Sequence, residues 1–124
     1  MAEQLRLEKI IGMALLSDFY DPLLTQKQRQ ALHLFYGEDL SLSEIAEECA
    51  CSRQAAHDLI KRSEALLADY EQKLGLVSKH QQRQSLFIQT EQELSALGLT
   101  SEGEENRAFW NTWRQLKDER INNN

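Results

Sequence analysis

The stretch that decides the fold is Ser41 to Leu74, which reads SLSEIAEECACSRQAAHDLIKRSEALLADYEQKL. It divides into a short amphipathic segment, a break of about three residues and a longer amphipathic segment, which is the spacing of a helix-turn-helix. Ser41 followed by Glu44 is a capping-box pattern and predicts the start of the first helix. Ser52 is a typical N-cap residue and predicts the start of the second helix.

Apolar residues recur at helical spacing in both predicted helices and define their inward faces. The inward set of the first helix is Leu42, Ile45, Ala46 and Cys49. The inward set of the second is Ala55, Ala56, Leu59, Ile60, Ser63, Leu66, Leu67 and Tyr70. The outward acids of the first helix are Glu44, Glu47 and Glu48. The outward stripe of the second helix is Arg53, Gln54, His57 and Lys61.

The second helix is predicted to run from Ser52 to Leu74 and to end at Gly75. Its length of about 33 Å exceeds what a recognition helix needs. Because the apolar stripe continues beyond Ser63, this second half must pack on something. The sequence leaves three candidates open: the first helix of the same chain, the C-terminal segment and a second copy. Since a projecting helix often buries its stripe against another copy, we predict a homodimer.

Helix-forming residues dominate the rest of the chain, and its single proline is Pro22, so we predict an all-α protein. A first amphipathic helix is predicted from Leu5 to about Phe19, ended by Asp21 and Pro22. The apolar set that marks its inward face is Leu7, Ile10, Ile11, Ala14, Leu15 and Phe19. A second helix is predicted from the Thr25–Gln28 capping box to Gly37, its expected C-cap.

After Val77 the composition shifts toward Gln, Ser and Lys. We predict one helix around Leu86 to Leu97 that ends near Gly98, a hinge at 101–103, a last helix at about 104–120 and a frayed tail at 121–124. The last helix carries a set of large apolar residues, Phe109, Trp110, Trp113 and Leu116. These aromatics either dock the helix or contact a partner. We therefore predict a helix-turn-helix helical domain at residues 1–76 and a C-terminal helical extension at 77–124, packed on that domain or on a partner subunit.

Composition and motifs limit the classes of function. A chain of 124 residues has room for one small domain with a helical appendage. It has no glycine-rich phosphate loop and no nucleophile motif, so we predict neither enzymatic activity nor a cofactor. Cys49, Cys51 and His57 lack a fourth ligand at a recognisable spacing, which favours free thiols over a metal site. No apolar run approaches a membrane span, and we expect a cytoplasmic protein.

The formal net charge of −6 weighs against nucleic-acid binding. Affinity for nucleic acid comes largely from Lys and Arg side chains that neutralise phosphates. An acidic protein can still bind DNA through a local basic stripe, but its overall field slows the encounter.

Two adjoining stretches carry a family resemblance. The run LTQKQRQALHLFYGEDLSLSEIAEECACSRQAAHDLIKR, from Leu24 to Arg62, resembles region 4 of bacterial sigma factors, whose helix-turn-helix reads promoter DNA. With the DFY run at 18–20 before it and the segment 65–74 after it, the chain resembles the YlxM family of small bacterial proteins over about residues 5–80. This resemblance implies a DNA-binding regulator. Because genes of that family commonly lie beside the gene of the signal recognition particle GTPase, it also implies a role in protein targeting.

The resemblance further implies a set of DNA contacts, namely Ser52, Arg53, Gln54, His57, Lys61 and Arg62. Ser52 and the helix N-terminus would meet a phosphate. Arg53 and Gln54 would reach base edges, since a guanidinium pairs with guanine and an amide with adenine. His57 and Lys61 would extend that contact or hold the backbone.

The alternative is a helix-turn-helix kept for protein contacts, in which the outward acids and Asp58 oppose phosphate. Such a protein would bind or modulate the signal recognition particle GTPase or RNA. The candidate partner-binding residues are Leu66, Leu67, Tyr70, Trp110 and Trp113. One position departs from the usual turn: Ala50 stands where glycine is common. A positive φ there costs about 1 kcal/mol, so either Ala50 tolerates the strain or the turn relaxes.

Overall fold

The structure, a computed structural model, describes residues 1–99 and 103–119. Every regular element within those ranges is helical, which confirms the all-α prediction. The chain divides into two compact units, Met1–Val77 and Ser78–Asn124.

The first unit contains four helices and two short turns of other helical geometry. Helix α1 is Ala2–Tyr20 and leads into a 3₁₀ turn at Asp21–Leu23. Helix α2 is Gln26–Leu32 and continues as a π-helical turn at His33–Gly37. The helix-turn-helix consists of α3, Leu42–Glu48, and α4, Arg53–Leu74.

The predicted helix starts are confirmed by their caps. The hydroxyl of Thr25 accepts from the Gln28 amide at 3.2 Å, and the Gln28 side chain accepts from the Thr25 amide at 2.9 Å. Ser41 and Glu44 form the same reciprocal pair, at 3.2 and 3.0 Å. At the far end of α4, Gly75 adopts a left-handed conformation with φ 63°, as a C-terminal glycine should.

The core of the first unit lies where α4 crosses the other helices. Its largest fully buried apolar side chains are Tyr20, Leu32, Ile45 and Leu67, one from each of the four helices. Helix α4 packs on α1, α2 and α3 along its length. In its second half, the Tyr70 ring lies 5.9 Å from the Tyr20 ring of α1. Of the three candidates for covering this half, the first helix of the same chain is therefore the one observed.

Three details of the first unit correct the sequence predictions. Helix α1 begins at Ala2, and its N-terminal half extends past the core, so Leu7 and Ile11 are 56% and 58% exposed and Ala14 is exposed as well. Ala55 is exposed, because the first turn of α4 also lies outside the core. Gly37 is not a left-handed cap; the helical turn is capped by Glu38, and Asp39 takes the positive φ of 55°.

Helix α5 spans Leu76–Ala96 and begins ten residues before the apolar cluster at Leu86 that predicted it. Its start is held by side chains of two other helices, α1 and α4. The Leu76 amide donates to the Tyr20 hydroxyl at 3.1 Å, and the Val77 amide donates to the Glu71 carboxylate at 3.0 Å. Because these caps come from other helices, no local pattern marks this helix start.

The second unit pairs α5 with α6, Arg107–Asp118, which follows a 3₁₀ turn at Glu104–Asn106. The Trp113 ring meets Phe87 edge-on at 4.9 Å, and its indole N–H donates to Glu91 at 2.8 Å. Glu91 also pairs with Lys117 at 3.1 Å. The aromatic residues therefore dock α6 on α5. The predicted hinge residues Ser101 and Glu102 and the predicted frayed tail lie outside the described residues.

Candidate nucleic-acid interface

The turn between α3 and α4 sets the direction in which α4 leaves the domain. Ala50 has a positive φ of 54°, so of the two alternatives the residue takes the strain and the turn does not relax. The Cys51 amide donates to the Ala46 carbonyl at 2.9 Å, which closes the end of α3 in the manner of a Schellman motif. The Ser52 hydroxyl then accepts from the Ala55 amide at 3.0 Å and begins α4. The exposed first turn of α4 presents unpaired amides and the positive end of the helix dipole.

Arg53 and Gln54 are both exposed on this first turn. Within the described part of the chain, the Arg53 guanidinium has no ion pair, so its donors face solvent. The Gln54 side-chain amide donates to the Asp58 carboxylate at 3.0 Å, which fixes its orientation one turn up the helix. The structure therefore offers a free guanidinium next to an oriented amide.

His57, Lys61 and Arg62 continue along α4, and each lies beside an acceptor of its own chain. The His57 Nδ1 atom is 3.5 Å from the Asp58 carboxylate and makes no hydrogen bond to the described residues. The Lys61 ammonium is 3.5 Å from the Glu64 carboxylate. The Arg62 Nε donates to the Asp58 carbonyl at 3.4 Å. The six predicted contacts thus lie within the first three turns of α4, and Arg53 is the most available charge among them.

The outward acids of α3 are exposed, as predicted. In the helix cap the Glu44 carboxylate accepts a hydrogen bond from the Ser41 amide. This bond lowers the pKa of the Glu44 carboxyl. It is therefore ionised at neutral pH. Glu47 and Glu48 carry their charges in solvent on the next turn. These three charges oppose phosphate on the helix that crosses the backbone when a helix-turn-helix docks.

The predicted partner-binding residues differ in what surface they expose. Leu67 is fully buried and Trp110 is 7% exposed, so both lie in the cores of their units. Leu66, Tyr70 and Trp113 are half-buried. The Tyr70 hydroxyl donates to the Leu23 carbonyl at 3.3 Å, which ties it to its own chain. Helical spacing identified the apolar stripe but could not reveal that the same chain covers most of it.

Sequence reasoning missed the pair formed by Glu64 and Tyr36. Glu64 lies on α4 one turn beyond Lys61 and is 8% exposed, and its carboxylate accepts a hydrogen bond from the Tyr36 hydroxyl of the π-helical turn. The spacing of Lys61 and Glu64 was a visible signal, since residues three apart on a helix are neighbours. Tyr36 is 28 residues away in sequence, so its contact was not visible.

The two cysteines and the possible metal ligands are the remaining candidates for a chemical site in the described part of the chain. Cys49 and Cys51 are free, and burial raises the pKa of the Cys49 thiol, which keeps it protonated. Across residues 1–99 and 103–119, no group of three His, Cys, Asp or Glu side chains is placed to hold a metal ion. No helix in those same ranges has the length and apolar character needed to cross a membrane.

The sequence is similar to a defined protein family along most of its length. The profile of the UPF0122 family, described as "Putative helix-turn-helix protein, YlxM / p13 like", matches residues 7–106. The UPF0122 protein of Bacillus mycoides strain KBAB4 is 56% identical over 89 residues, which is 72% of this chain and 81% of that protein. The UPF0122 protein of Bacillus cereus strain AH187 is 55% identical over the same shares of both chains. The chain belongs to the UPF0122 family of YlxM/p13-like helix-turn-helix proteins.

Proposed function

We propose that this protein is a regulator that binds duplex DNA through the first three turns of α4. The observation that carries the proposal is Arg53, an exposed guanidinium without an ion pair among the described residues, at the start of the second helix of a helix-turn-helix. Membership of a helix-turn-helix family supports it. The second helix of this motif enters the major groove with its N-terminal residues toward base edges.

Each residue of the interface has a role that follows from its chemistry. Arg53 donates two parallel hydrogen bonds to guanine, and Gln54, oriented by Asp58, pairs with adenine. The backbone N–H groups at the start of α4, next to Ser52, bind a phosphate, because the helix N-terminus is positively polarised. Lys61 and Arg62 lie farther along α4, toward the backbone. With few cations and a net charge of −6, affinity depends more on base contacts than on general attraction to phosphate.

Arg53→Ala is expected to weaken binding to the preferred duplex by about 1–3 kcal/mol, because a bidentate contact to guanine is lost. The measurement is a fluorescence titration with duplexes selected from a genomic pool, at two salt concentrations. Wild-type affinity must fall as salt rises.

The matched control for Arg53→Ala is Arg114→Ala. Arg114 is an exposed arginine of α6 that donates to Asn111, so its loss changes net charge equally without touching α4. This variant should bind DNA as the wild type does. Absence of wild-type binding even at low salt, or equal losses in both variants, contradicts the proposed function.

A second candidate function is binding to a protein or RNA of the signal recognition particle. The observation that favours an interaction role is the exposed apolar surface of the second unit. A groove of about 270 Å³ there is lined in part by Leu86 and Leu116, which are 62% and 43% exposed. Exposed apolar residues that line a groove often mark a binding surface.

Leu86→Ser is expected to abolish capture of the signal recognition particle GTPase in a pull-down from purified components. Because Leu86 is exposed, the substitution leaves the packing of Trp110 and Trp113 in place, unlike replacement of either tryptophan. Ile88→Ser is the control: Ile88 is 50% exposed on the same helix but does not line the groove. Capture that survives Leu86→Ser, or no capture of the GTPase or its RNA by the wild type, contradicts this candidate.

A homodimer stays a prediction. Its original basis was the apolar stripe on the second half of α4, which packs on α1 of the same chain. The exposed apolar residues at the start of α1, Leu5, Leu7 and Ile11, are an alternative surface for a second copy. Light scattering tests the prediction, and a monomer mass contradicts it.

A further inference from the structure

Glu64 is the most deeply buried carboxylate of the described residues, and both of its oxygens are engaged. Oε1 lies 3.5 Å from the Lys61 ammonium, and Oε2 accepts the hydrogen bond from Tyr36. The first contact lies within α4, and the second joins α4 to the π-helical turn that ends the α2 segment. Isolated π-helical turns are often found at functional sites.

The geometry fixes Glu64 and leaves Lys61 as the movable member of the pair. The Tyr36 ring packs edge-on against Phe35 at 4.9 Å, which holds the hydroxyl in place. Burial and the nearby Glu64 carboxylate raise the pKa of Tyr36, so its hydroxyl stays a donor at neutral pH. The Lys61 side chain is 57% exposed, whereas that of Glu64 is 10% exposed. The ammonium can therefore turn toward solvent, but the carboxylate cannot follow it.

Lys61 is also one of the few cations at the proposed interface. A lysine paired with a fixed carboxylate gains less from a phosphate, because the new contact must replace an existing one. The pair is screened less than an exposed one, since one of its members is buried. The Lys73–Asp69 pair farther along α4 is closer, at 3.0 Å, but both of its side chains are exposed, at 69% and 46%, so water screens it more fully.

We propose that Glu64 is a positioning residue that restrains the Lys61 ammonium and limits non-specific attraction to DNA, so that recognition depends on Arg53 and Gln54. This inference rests on the proposed DNA-binding function. If a protein also binds DNA of any sequence, the many non-specific sites of the genome compete with its specific site for the protein. Neutralising a cation within the interface lowers that background without changing a base contact.

The test is the affinity of the full chain for duplex DNA of random sequence. Glu64→Gln keeps an oxygen acceptor for Tyr36 and removes the charge that holds Lys61. Non-specific affinity is expected to rise about three- to tenfold, and the slope of log affinity against log salt to steepen by about 0.9, as for one added phosphate contact. The double variant Glu64→Gln/Lys61→Ala should lose this gain.

Asp69→Asn is the matched control. It removes one negative charge from the same helix and frees Lys73, but at a place beyond the proposed interface. Its affinity should change by less than about twofold, since an exposed pair far from phosphate contributes little. An equal gain in Glu64→Gln and Asp69→Asn shows an effect of net charge alone and overturns the inference.

Two further measurements test the inference even if Glu64→Gln does not fold. Circular dichroism reports whether that variant keeps its helices. In the otherwise wild-type protein, Lys61→Ala is expected to reduce non-specific affinity by less than about twofold, because its charge is already neutralised. A large loss in Lys61→Ala overturns the inference while leaving the proposed function intact. Absence of binding in the wild type and in every variant overturns both.

Discussion

Leu67→Ala is expected to lower the free energy of unfolding of the first unit by about 2–5 kcal/mol. Leu67 is 0% exposed and belongs to the core cluster that also holds Tyr20 and Ile60. Truncation removes buried methyl groups and leaves a cavity, because the surrounding helices relax only partly. Urea unfolding followed by circular dichroism at the helical band gives the difference.

The control for Leu67→Ala is the same substitution at Leu74 on the same helix. Leu74 is 45% exposed, so the change removes less buried surface, and a loss below about 1 kcal/mol is expected. A loss of similar size in both variants would mean that Leu67 is not buried in solution. The apolar stripe that includes Leu67 would then be available to a partner.

Trp110→Ala is expected to unfold the second unit. Replacing a buried tryptophan by alanine costs about 3–5 kcal/mol, which is comparable to all the stability that a unit of this size gains from its core. Trp110 is 7% exposed, and its ring meets Phe109 edge-on at 5.2 Å. The chain has two tryptophans, both in α6, so fluorescence reports on this unit alone. The emission of the remaining Trp113 should shift to the red, as its indole loses Phe87 and the Glu91 hydrogen bond.

Leu116→Ala is the control for Trp110→Ala. Leu116 lies on the same helix and is 43% exposed, so its removal should leave the emission of both tryptophans close to that of the wild type. Unchanged Trp113 emission in Trp110→Ala would contradict the docking of α6 by its aromatic face. The aromatic residues would then be more available to a partner than the structure indicates.

The sequence predicts which residues of the candidate interface share one face of α4, because they all lie on one helix. Arg53, Gln54, His57 and Lys61 were assigned to one outward stripe because helical periodicity alone places them there. Which of these charges is available was not predictable. Arg53 is free of ion pairs among the described residues, whereas Lys61 is held by Glu64, and that carboxylate is fixed by Tyr36 from another part of the chain.

The sequence by itself determined the features whose interactions span a few residues. The capping boxes at Thr25 and Ser41 each join residues three apart, and the inward face of α3 follows from its own repeat. At Ala50 the sequence left two outcomes open, a strained residue or a relaxed turn, and the φ of 54° shows the first.

Only the tertiary structure decided which apolar surfaces are covered and where α5 begins. The apolar residues of α1 look alike in sequence, yet Phe19 and Tyr20 at its C-terminal end are buried while Leu7 and Ile11 are exposed, because the core reaches only that end of the helix. Helix α5 starts at Leu76 because Tyr20 and Glu71 satisfy its first amides. Tyr20, whose hydroxyl accepts the hydrogen bond from the Leu76 amide, is 56 residues away in sequence. Periodicity within a segment carries no information about such a distant partner.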